Sequence, residues 1–339
     1  MKRAVVAGPK KAALFDAPEP RAIGNWVKVK ILAIPMCTEY KAFSHGSPAT
    51  HLGHEAAGEV VEVDKSARLK VGDRVVAMPL YGCGECQLCL NGDFIHCQNA
   101  PPYEQATGSP EGNCTMAQFL LKPDWLLPKI PDGMSYAHAS MACCGLGPTF
   151  GAMERMHVDA FDTVLITGLG PVGLGGVING KHRGARVIVA ETHPYRVEMA
   201  RRLGADEVID PARSDAAAKI RELTNGRGVD KSIDCSGVPA AHRLCIDTTR
   251  RMGQVTFVGE CFVETPLKIS DDMIRKGLTL IGSWHYNIAK VPKLFSVIEK
   301  VQPKLEILIS HTFPMSKIQE AWELQCSQNC AKVILNPWE

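Results

Sequence analysis

A chain of 339 residues is long enough for two domains. Its net charge of +2 and near-average composition argue against partners that need a strongly charged surface, such as nucleic acid or an anionic membrane. The odd count of 13 cysteines favours metal sites and free thiols over a disulfide framework, which predicts a reducing cytoplasm as the location. We find no apolar run of membrane-spanning length, and Met1–Val6 predicts a first strand and not a signal peptide.

Residues 1–80 predict a β domain. Short runs of strand-forming residues alternate there with turns rich in Pro and Gly, which is typical of a compact, partly open β-barrel. The predicted strands are Ala4–Ala7, Trp26–Ile34, Ala56–Val63 and Asp73–Ala77.

Two residues of this region have the chemistry of ligands to a catalytic zinc ion. Cys37 follows the second predicted strand, and His54 lies in the segment Gly53-His54-Glu55-Ala56-Ala57-Gly58. A thiolate, an imidazole and one further protein ligand would leave the fourth position of zinc open. Taken alone, Cys37 also fits a small buried apolar residue, and His54 also fits a loop histidine. Cys37 and His54 therefore indicate a zinc site only in combination with the motifs described next.

The most specific signal is a cysteine-rich loop over residues 83–97. It spaces Cys83, Cys86 and Cys89 by three residues each and adds Cys97 after seven intervening residues. Four thiolates at this spacing can surround one zinc ion tetrahedrally and leave no open position, which marks a structural metal. We therefore predict that the metal holds together a loop with too little apolar content to fold alone.

A glycine turn between two buried strands predicts a dinucleotide site. The apolar run Thr163–Thr167 leads into Gly168-Leu169-Gly170-Pro171-Val172-Gly173, and a second run, Arg186–Ala190, ends at Glu191. Glycines allow the backbone to approach a pyrophosphate at a helix N-terminus, and the acid binds ribose hydroxyls. A carboxylate would repel a 2′-phosphate, so NAD is favoured over NADP. His193 and Arg196 lie just beyond and could soften that preference.

Strands continue to alternate with helices up to Gly259, which predicts a doubly wound parallel sheet with its ligand at the carboxyl edges of the strands. Val258-Gly259 and Gly282-Ser283 lie at such edges, where they either meet the nicotinamide ring or serve as plain turn residues. Val291–Lys300 predicts a helix that returns to the first domain. Residues 303–339 complete that domain, with Trp322 and Trp338 predicted in its core.

Four features of the sequence, in this order, resemble the zinc-containing medium-chain alcohol and polyol dehydrogenases of the sorbitol type. They are Cys37, the His54 segment, the cysteine loop and the glycine turn. The resemblance covers essentially the whole chain. It implies an α/β fold: a central doubly wound (Rossmann) sheet over 151–289 that binds NAD(P), and a GroES-like, partly open β-barrel catalytic domain from 1–150 and 290–339. It also implies a homodimer or homotetramer with two zinc ions per chain.

The family's third catalytic zinc ligand falls at Cys144 in this sequence. The neighbouring Cys143 is the alternative, and whichever thiol is not used is expected to be buried. Glu55 follows the ligand histidine, where the family uses it as a carboxylate behind the ligands or as a ligand that exchanges with water. The alternative for Glu55 is a helix cap or an ion pair.

The sequence departs from the family directly after Cys37. The family pattern is Cys-x-Ser/Thr-Asp, with the hydroxyl relaying the substrate proton, whereas this chain has Cys37-Thr38-Glu39. An alignment with one deletion makes Thr38 the relay and Glu39 the acid. It also brings His45 into line with a histidine of the polyol branch and puts Lys41 where many members have a relay histidine. An ungapped alignment puts Glu39 at the relay position.

The same resemblance implies candidate substrate-contact residues and an expected reaction. Tyr81 falls at an aromatic position of the substrate pocket, and His285 and Tyr286 match a segment that polyol dehydrogenases contribute to it; ordinary packing is the alternative for each. The reaction expected is hydride transfer between a secondary alcohol (a polyol, cyclitol, sugar or amino alcohol) and NAD(P), giving the ketone. A double-bond reductase of the same fold and a non-catalytic NAD-binding protein are the alternatives.

Overall fold

The structure is a computed structural model that describes residues 1–213 and 215–339, and it divides into two compact units. The first unit consists of Met1–Gly145, Asn287–Leu305 and Ile309–Glu339, and the second of Leu146–Tyr286 and Glu306–Leu308. Both ends of the chain therefore belong to the first unit.

Strands occur in both units. In chain order they are β1 (Lys2–Gly8), β2 (Lys11–Asp16), β3 (Trp26–Pro35), β4 (Ala56–Glu62), β5 (Arg74–Ala77), β6 (Phe119–Pro123), β7 (Thr163–Thr167), β8 (Arg186–Ala190), β9 (Glu207–Ile209), β10 (Val229–Asp234), β11 (Thr249–Phe257), β12 (Thr279–Gly282), β13 (Ile309–Pro314) and β14 (Lys332–Asn336).

The α-helices are α1 (Tyr40–His45), α2 (Gln87–Leu90), α3 (Tyr103–Thr107), α4 (Tyr136–Ser140), α5 (Gly147–Met156), α6 (Pro171–His182), α7 (Pro194–Leu203), α8 (Ala216–Leu223), α9 (Pro239–Thr248), α10 (Val291–Lys300), α11 (Gln302–Leu308) and α12 (Ile318–Ser327). Short 3-10 turns lie at Phe94–His96, Asp124–Leu126, Ile288–Lys290 and Met315–Lys317, and a π-helical turn at Ile269–Ile274. Within the described ranges, the structure contains no helix with the length and apolar content needed to cross a bilayer.

The first unit is built around the long apolar strand β3. The sheet runs β13-β14-β3-β4-β5, and β6 also pairs with β3; β13 is parallel to β14, whereas the β14–β3, β3–β4, β4–β5 and β3–β6 pairs are antiparallel. β1 and β2 form a separate hairpin. Apolar residues of β3 and β4 pack with Phe43 of α1 and Trp322 of α12 in one core, with these two rings 5.4 Å apart.

The second unit is a parallel sheet with the order β9-β8-β7-β10-β11-β12. After Thr163 and Arg186, the remaining residues of β7 and β8 are buried, as expected for strands with helices on both faces. The chain winds outward from β7 in both directions, so the order reverses between β7 and β10. In doubly wound folds the ligand binds at that reversal, at the carboxyl ends of the strands.

Trp338 differs from its predicted place in the core. Its side chain is 39% exposed, and it lies against the surface of the sheet, where its indole N–H donates to the Ile31 carbonyl oxygen at 2.6 Å. Its ring meets the edge of Phe119 at 5.4 Å. Trp322 is fully buried, as predicted.

Candidate active site and metal centres

The four cysteines of the loop 83–97 face one another. Their sulfur atoms all lie within 4.8 Å of one another, with 3.9 Å between Cys83 and Cys89 and 3.6 Å between Cys97 and Cys83. A tetrahedron of sulfurs with zinc–sulfur bonds of about 2.3 Å has edges of about 3.8 Å. The geometry therefore fits one zinc ion in a closed four-sulfur shell.

Backbone amides of the loop point at these sulfurs. The amide of Cys86 donates to Cys83 Sγ and that of Cys83 donates to Cys97 Sγ, each at 3.3 Å. Hydrogen bonds from the amides of Glu85 and Cys86 lower the pKa of Cys83 to about 7. These donors stabilise the thiolate form, which is the form that binds metal.

A second cluster of potential ligands lies in the first unit. One atom each of Cys37, His54, Glu55 and Cys144 lies within 4.8 Å of the others. Cys37 follows β3, His54 and Glu55 precede β4, and Cys144 follows α4. His54 Nε2 is 3.3 Å from Cys144 Sγ, close to the edge of about 3.6 Å expected between a nitrogen and a sulfur on one tetrahedral zinc. Two thiols and an imidazole fit zinc chemically.

The structure distinguishes Cys144 from Cys143. Cys144 joins Cys37 and His54, whereas the Cys143 thiol donates to the Ala77 carbonyl oxygen at 3.4 Å. Both residues are buried. Burial raises the pKa of Cys143 above its ordinary range, as expected for a thiol in an apolar setting.

Glu39 holds the ring of His54. Its Oε1 is 2.9 Å from His54 Nδ1, and its Oε2 accepts a hydrogen bond from the Cys37 amide at 2.8 Å. A carboxylate on Nδ1 fixes the tautomer that presents Nε2 to a metal. The carboxylate is thus bound behind the histidine, which agrees with the alignment that contains the deletion. In that alignment Glu39 is the acid and not the relay.

Glu55 lies at the centre of a fully buried ion pair. Lys332 of β14 donates to Glu55 Oε1 at 2.6 Å, and the Cys144 amide donates to Oε2 at 3.0 Å. Neither side chain of the ion pair is exposed. Burial raises the pKa of Glu55 to about 7, against the opposing effect of Lys332. Glu55 Oε1 is also 4.0 Å from His54 Nε2, so the carboxylate belongs to the same cluster as Cys37, His54 and Cys144.

The pKa values of the two thiols in this cluster are shifted in opposite directions. Their mutual hydrogen bond holds the pKa of Cys37 well below its ordinary value and that of Cys144 well above it. Burial disfavours charge on His54, but hydrogen bonds to Cys37 and Glu39 outweigh it and raise its pKa to about 11. These hydrogen bonds favour the thiolate form of Cys37 and the charged form of His54.

The other residues considered for the proton relay lie at the surface. Thr38 is exposed, and its carbonyl oxygen accepts the Lys41 amide at 2.9 Å as α1 begins. Lys41 and His45 are both exposed, at the start and the end of α1. Their part in a relay stays a prediction.

In the second unit, the glycine turn joins β7 to α6. Gly168 has a φ of 78°, in the left-handed region that favours glycine. A Cβ on Gly173 would lie 2.1 Å from the Gly168 carbonyl oxygen, so the helix packs onto the turn only without a side chain there. Gly170 caps the N-terminus of α6, and Pro171 and Val172 begin the helix. A Cβ on Gly170 would meet no atom within 4 Å, which leaves room for a phosphate group beside the helix N-terminus.

Glu191 closes this turn from the end of β8. Its carboxylate accepts hydrogen bonds from the amides of Leu169, Thr192 and His193 at 2.7–2.9 Å. Arg196 follows in the first turn of α7. Within the described residues, the buried atoms His193 Nδ1 and Arg196 Nε have no hydrogen-bond partner, so both are available to a ligand beside the acid.

The later candidates lie along the carboxyl edge of the same sheet. The amides of Val258 and Gly259 donate to the Asp234 carbonyl oxygen at 2.9 and 3.0 Å. Gly282 ends β12, and the Ser283 amide donates to the Phe257 carbonyl oxygen at 3.0 Å. Ser283 Oγ is a further buried atom that has no hydrogen-bond partner among the described residues.

The candidates for substrate contact are packed residues. Tyr81 donates to the Pro101 carbonyl oxygen at 2.9 Å, and its ring meets that of Trp26 at 5.2 Å. His285 and Tyr286 are buried, the Tyr286 ring lies 5.7 Å from Phe150, and His285 has a left-handed φ of 60°. Their contact with substrate stays a prediction.

Lys332 is the main site residue that sequence reasoning missed. A signal was present, because a lone lysine interrupts the apolar run Ala331–Leu335, where a buried cation needs a partner. Gln325 was also missed. It donates from α12 to the Cys37 carbonyl oxygen at 3.3 Å and so fixes the backbone of that ligand.

Known proteins match the chain over nearly its full length. Residues 24–132 match the model of the alcohol dehydrogenase GroES-like domain, and residues 171–300 match that of the zinc-binding dehydrogenase. D-arabitol-phosphate dehydrogenase of Enterococcus avium is 30% identical, over 98% of this chain and 96% of its own. The chain belongs to the zinc-binding alcohol dehydrogenase family.

Other known proteins are also similar to the chain over nearly its full length. Sorbitol dehydrogenase of Bacillus subtilis (strain 168) is 30% identical, over 99% of this chain and 97% of its own. The structure of an alcohol dehydrogenase from Thermotoga maritima, 26% identical, superposes with a TM-score of 0.82 over 99% of this chain and 98% of its own. An alcohol dehydrogenase from Thermus sp. ATN1, at 24% identity, shares the fold with a TM-score of 0.90 over 99% of both chains.

Family membership confirms three predictions: the fold class, the family itself and the dehydrogenase activity. As a zinc-binding alcohol dehydrogenase, the chain is an oxidoreductase that interconverts an alcohol and a ketone with zinc and NAD(P). The relatives named here are dehydrogenases and not double-bond reductases or non-catalytic binding proteins.

Proposed function

We propose that this protein oxidises a secondary alcohol of the polyol class to the ketone with NAD, and catalyses the reverse reaction. The observation that carries the proposal is the cluster of Cys37, His54 and Cys144, which offers zinc three ligands and leaves a fourth position. The names of the relatives, a sugar-alcohol-phosphate dehydrogenase and a sorbitol dehydrogenase, support a hydroxyl-rich substrate. Cyclitols and amino alcohols stay in the same class of candidates.

Two zinc ions per chain are proposed. Cys37, His54 and Cys144 would hold the catalytic ion, with Glu55 behind them or exchanging onto it, and the cysteines of the loop 83–97 would hold the structural ion. When bound, the catalytic ion supplies a Lewis acid for the substrate oxygen, and the dinucleotide supplies the hydride acceptor.

The chain's own residues control orientation and charge in this site. Glu39 holds the His54 ring through Nδ1, so that Nε2 faces the cluster. Lys332 keeps Glu55 in place, and its positive charge offsets part of the negative charge of the thiolates. We assign the substrate proton to the hydroxyl of Thr38, which is exposed, with Lys41 or His45 as onward steps to solvent.

Dinucleotide binding is assigned to the second unit. Gly168, Gly170 and Gly173 would receive the pyrophosphate at the N-terminus of α6. Glu191 favours NAD because a negative charge at the end of β8 opposes a 2′-phosphate, and Arg196 lies close enough along α7 to moderate that choice. Val258, Gly259, Gly282 and Ser283 would meet the nicotinamide end of the dinucleotide.

We further propose the division into a catalytic domain, residues 1–150 and 290–339, and a cofactor domain, residues 151–289. Tyr81, His285 and Tyr286 are the proposed substrate contacts. A homodimer or homotetramer in the cytoplasm is the expected form, by analogy with the family.

The test is nucleotide reduction by the zinc-replete protein with NAD or NADP and a panel of polyols, cyclitols, amino alcohols and simple alcohols. Zinc is counted per chain in the wild type and in Cys37→Ser. We expect the variant to fall from two zinc ions to one and to lose turnover while it still binds NAD. Cys143→Ser is the matched control, since its thiol points to Ala77, and it should keep both ions. Unchanged zinc content and turnover in Cys37→Ser would refute the proposed site.

A further inference from the structure

Lys122 is a buried lysine that has no acidic partner among the residues that the structure describes. It lies on β6 with 9% of its surface exposed, and its ammonium group donates to the Leu80 carbonyl oxygen at 2.7 Å. Within the described residues, no carboxylate lies within 4 Å of its Nζ. An ammonium has three protons to donate, and a buried one is costly unless it is paired. Burial lowers the pKa of Lys122 to about 8, which reflects the same lack of a partner.

A cavity lies beside this lysine. Its volume is about 90 Å³, and its lining includes Lys122, Leu80 and the metal-ligand candidate His54. A water molecule takes about 30 Å³ of liquid volume, so the cavity has room for roughly three waters or one small polar group. Because His54 forms part of its wall, the cavity borders the cluster of Cys37, His54 and Cys144.

The cavity wall also offers an unused hydroxyl group. Thr115 lines it, and Thr115 Oγ1 is buried with no hydrogen-bond partner in the part of the chain that the structure describes. Gly53 makes room for this hydroxyl, because a Cβ there would lie 2.5 Å from it. Buried hydroxyl groups in proteins are normally hydrogen-bonded. A second, independent polar group in the same cavity therefore lacks a partner.

The remaining wall restricts what can enter. Tyr81 and Tyr103 line it, and their hydroxyl groups already donate to the carbonyl oxygens of Pro101 and Glu111 at 2.9 and 3.2 Å. The two tyrosines therefore add no free hydroxyl donor. Asn113 also lines the cavity but is exposed, so Lys122 and Thr115 remain as buried hydrogen-bond donors. A ligand group that accepts several hydrogen bonds and carries negative charge complements this pair.

We propose that Lys122 and Thr115 form a subsite for an anionic group at the end of the substrate, so that the preferred substrate is a polyol with a carboxylate or phosphate terminus. This inference rests on the proposed function, since the subsite serves an alcohol that reacts at the neighbouring zinc cluster. The anion pairs with the Lys122 ammonium, and Thr115 donates a further hydrogen bond. A neutral polyol leaves the lysine unpaired and therefore binds less tightly.

The test compares substrates of one carbon skeleton that differ in charge. D-sorbitol is the neutral member, D-gluconate carries the carboxylate, and sorbitol 6-phosphate carries the phosphate. Steady-state kcat and KM are measured for each with the zinc-loaded wild type, Lys122→Met and Lys129→Met. Lys129 is the matched control, because it is an exposed lysine of the same unit that pairs with Asp73 at 2.8 Å.

We expect at least one anionic substrate to exceed sorbitol in kcat/KM in the wild type. Lys122→Met should lower that kcat/KM roughly 10- to 100-fold, mainly through KM, which is the range for losing one hydrogen bond to a charged group. Sorbitol should change less than about threefold, and Lys129→Met should change neither substrate by more than that. The difference between carboxylate and phosphate identifies the anion. An equal loss on sorbitol and on the anions would show a structural role and overturn the inference.

Competition keeps the inference testable if Lys122→Met does not fold. Acetate and inorganic phosphate are then tested as inhibitors of sorbitol oxidation by the wild type, and Lys122→Gln replaces the Met variant. Competitive inhibition by either anion that weakens in Lys122→Gln supports the subsite. A wild type that oxidises sorbitol, shows no preference for an anion and is not inhibited overturns it while the proposed function stands. Failure to oxidise any alcohol of the panel overturns both.

Discussion

Replacing Lys332 with Met leaves the Glu55 carboxylate without the ammonium group that lies 2.6 Å from its Oε1. Both side chains are fully buried, so water cannot take the place of the lost partner. Breaking a buried ion pair by removing one partner costs about 3–5 kcal/mol. Because proteins are stable by roughly 5–15 kcal/mol, this single change should remove a large part of the stability of the first unit.

The assay is equilibrium unfolding in urea, with the same excess of zinc in every sample. Four of the five tryptophans, Trp26, Trp125, Trp322 and Trp338, lie in the first unit, so their fluorescence reports mainly on that unit. Because two units can unfold separately, the midpoint of this fluorescence transition is compared between variants, together with its slope.

The double variant Lys332→Met with Glu55→Gln separates the ion pair from simple loss of packing. A neutral amide at residue 55 no longer buries a charge, and its carbonyl oxygen still accepts the Cys144 amide. We therefore expect the double variant to recover at least about 2 kcal/mol relative to Lys332→Met alone. A loss below about 1 kcal/mol in the single variant would refute the reasoning, as would a double variant less stable than the single one.

Two other predictions concern a positioning residue and a pH dependence. Glu39→Asp retracts the carboxylate by about 1.5 Å, too far to bond both the Cys37 amide and His54 Nδ1. We expect kcat/KM to fall roughly 10- to 100-fold while the backbone fold is unchanged. Steady-state kinetics and circular dichroism measure the two quantities, and full activity would contradict the prediction. Lys122 keeps its proton up to pH 10.5 when unfolded but only to about pH 8 when folded. The stability of the wild type relative to Lys122→Met should therefore rise between those values, by roughly 3 kcal/mol in total and by about 2 kcal/mol between pH 7.5 and 9.5. Urea unfolding of both proteins from pH 7.5 to 9.5 measures this rise, and a flat difference would contradict it.

Features set by residues close in sequence could be predicted. The cysteine loop spans only Cys83 to Cys97, so its spacing alone brings the four sulfurs together. The apolar runs of β7 and β8 are buried as their composition indicates. Helix α10 has the predicted bounds, Val291–Lys300, because apolar residues recur along it at helical spacing.

Features that depend on distant partners could not be predicted. β2 exposes most of its residues and exists because it pairs with β1. Helix α5 contains Gly147 and Gly151, which lower its intrinsic helix propensity. β11 runs from Thr249 to Phe257 although Met252 inside it has a left-handed φ of 59°, a conformation that usually marks a turn. In each case the surrounding fold outweighs the local preference.

The role of Glu39, next to Cys37, could not be predicted from sequence for the same reason. From sequence, Glu39 fits either the relay position or the acid position, since one deletion separates the two alignments. In the structure the Glu39 carboxylate lies 2.9 Å from His54 Nδ1, a contact between residues distant in sequence that only the folded geometry reveals.

Lys332 and Lys122 are both buried cations, but they differ in whether the described residues supply a counter-charge. Both are buried in the first unit, yet Glu55 and the nearby thiolate raise the pKa of Lys332 above its ordinary value in spite of burial, whereas burial lowers that of Lys122. Lys332 therefore has a partner within the chain. Lys122 has a carbonyl oxygen and a cavity lined in part by His54. The counter-charge that Lys122 lacks among the described residues is the one that a substrate can bring.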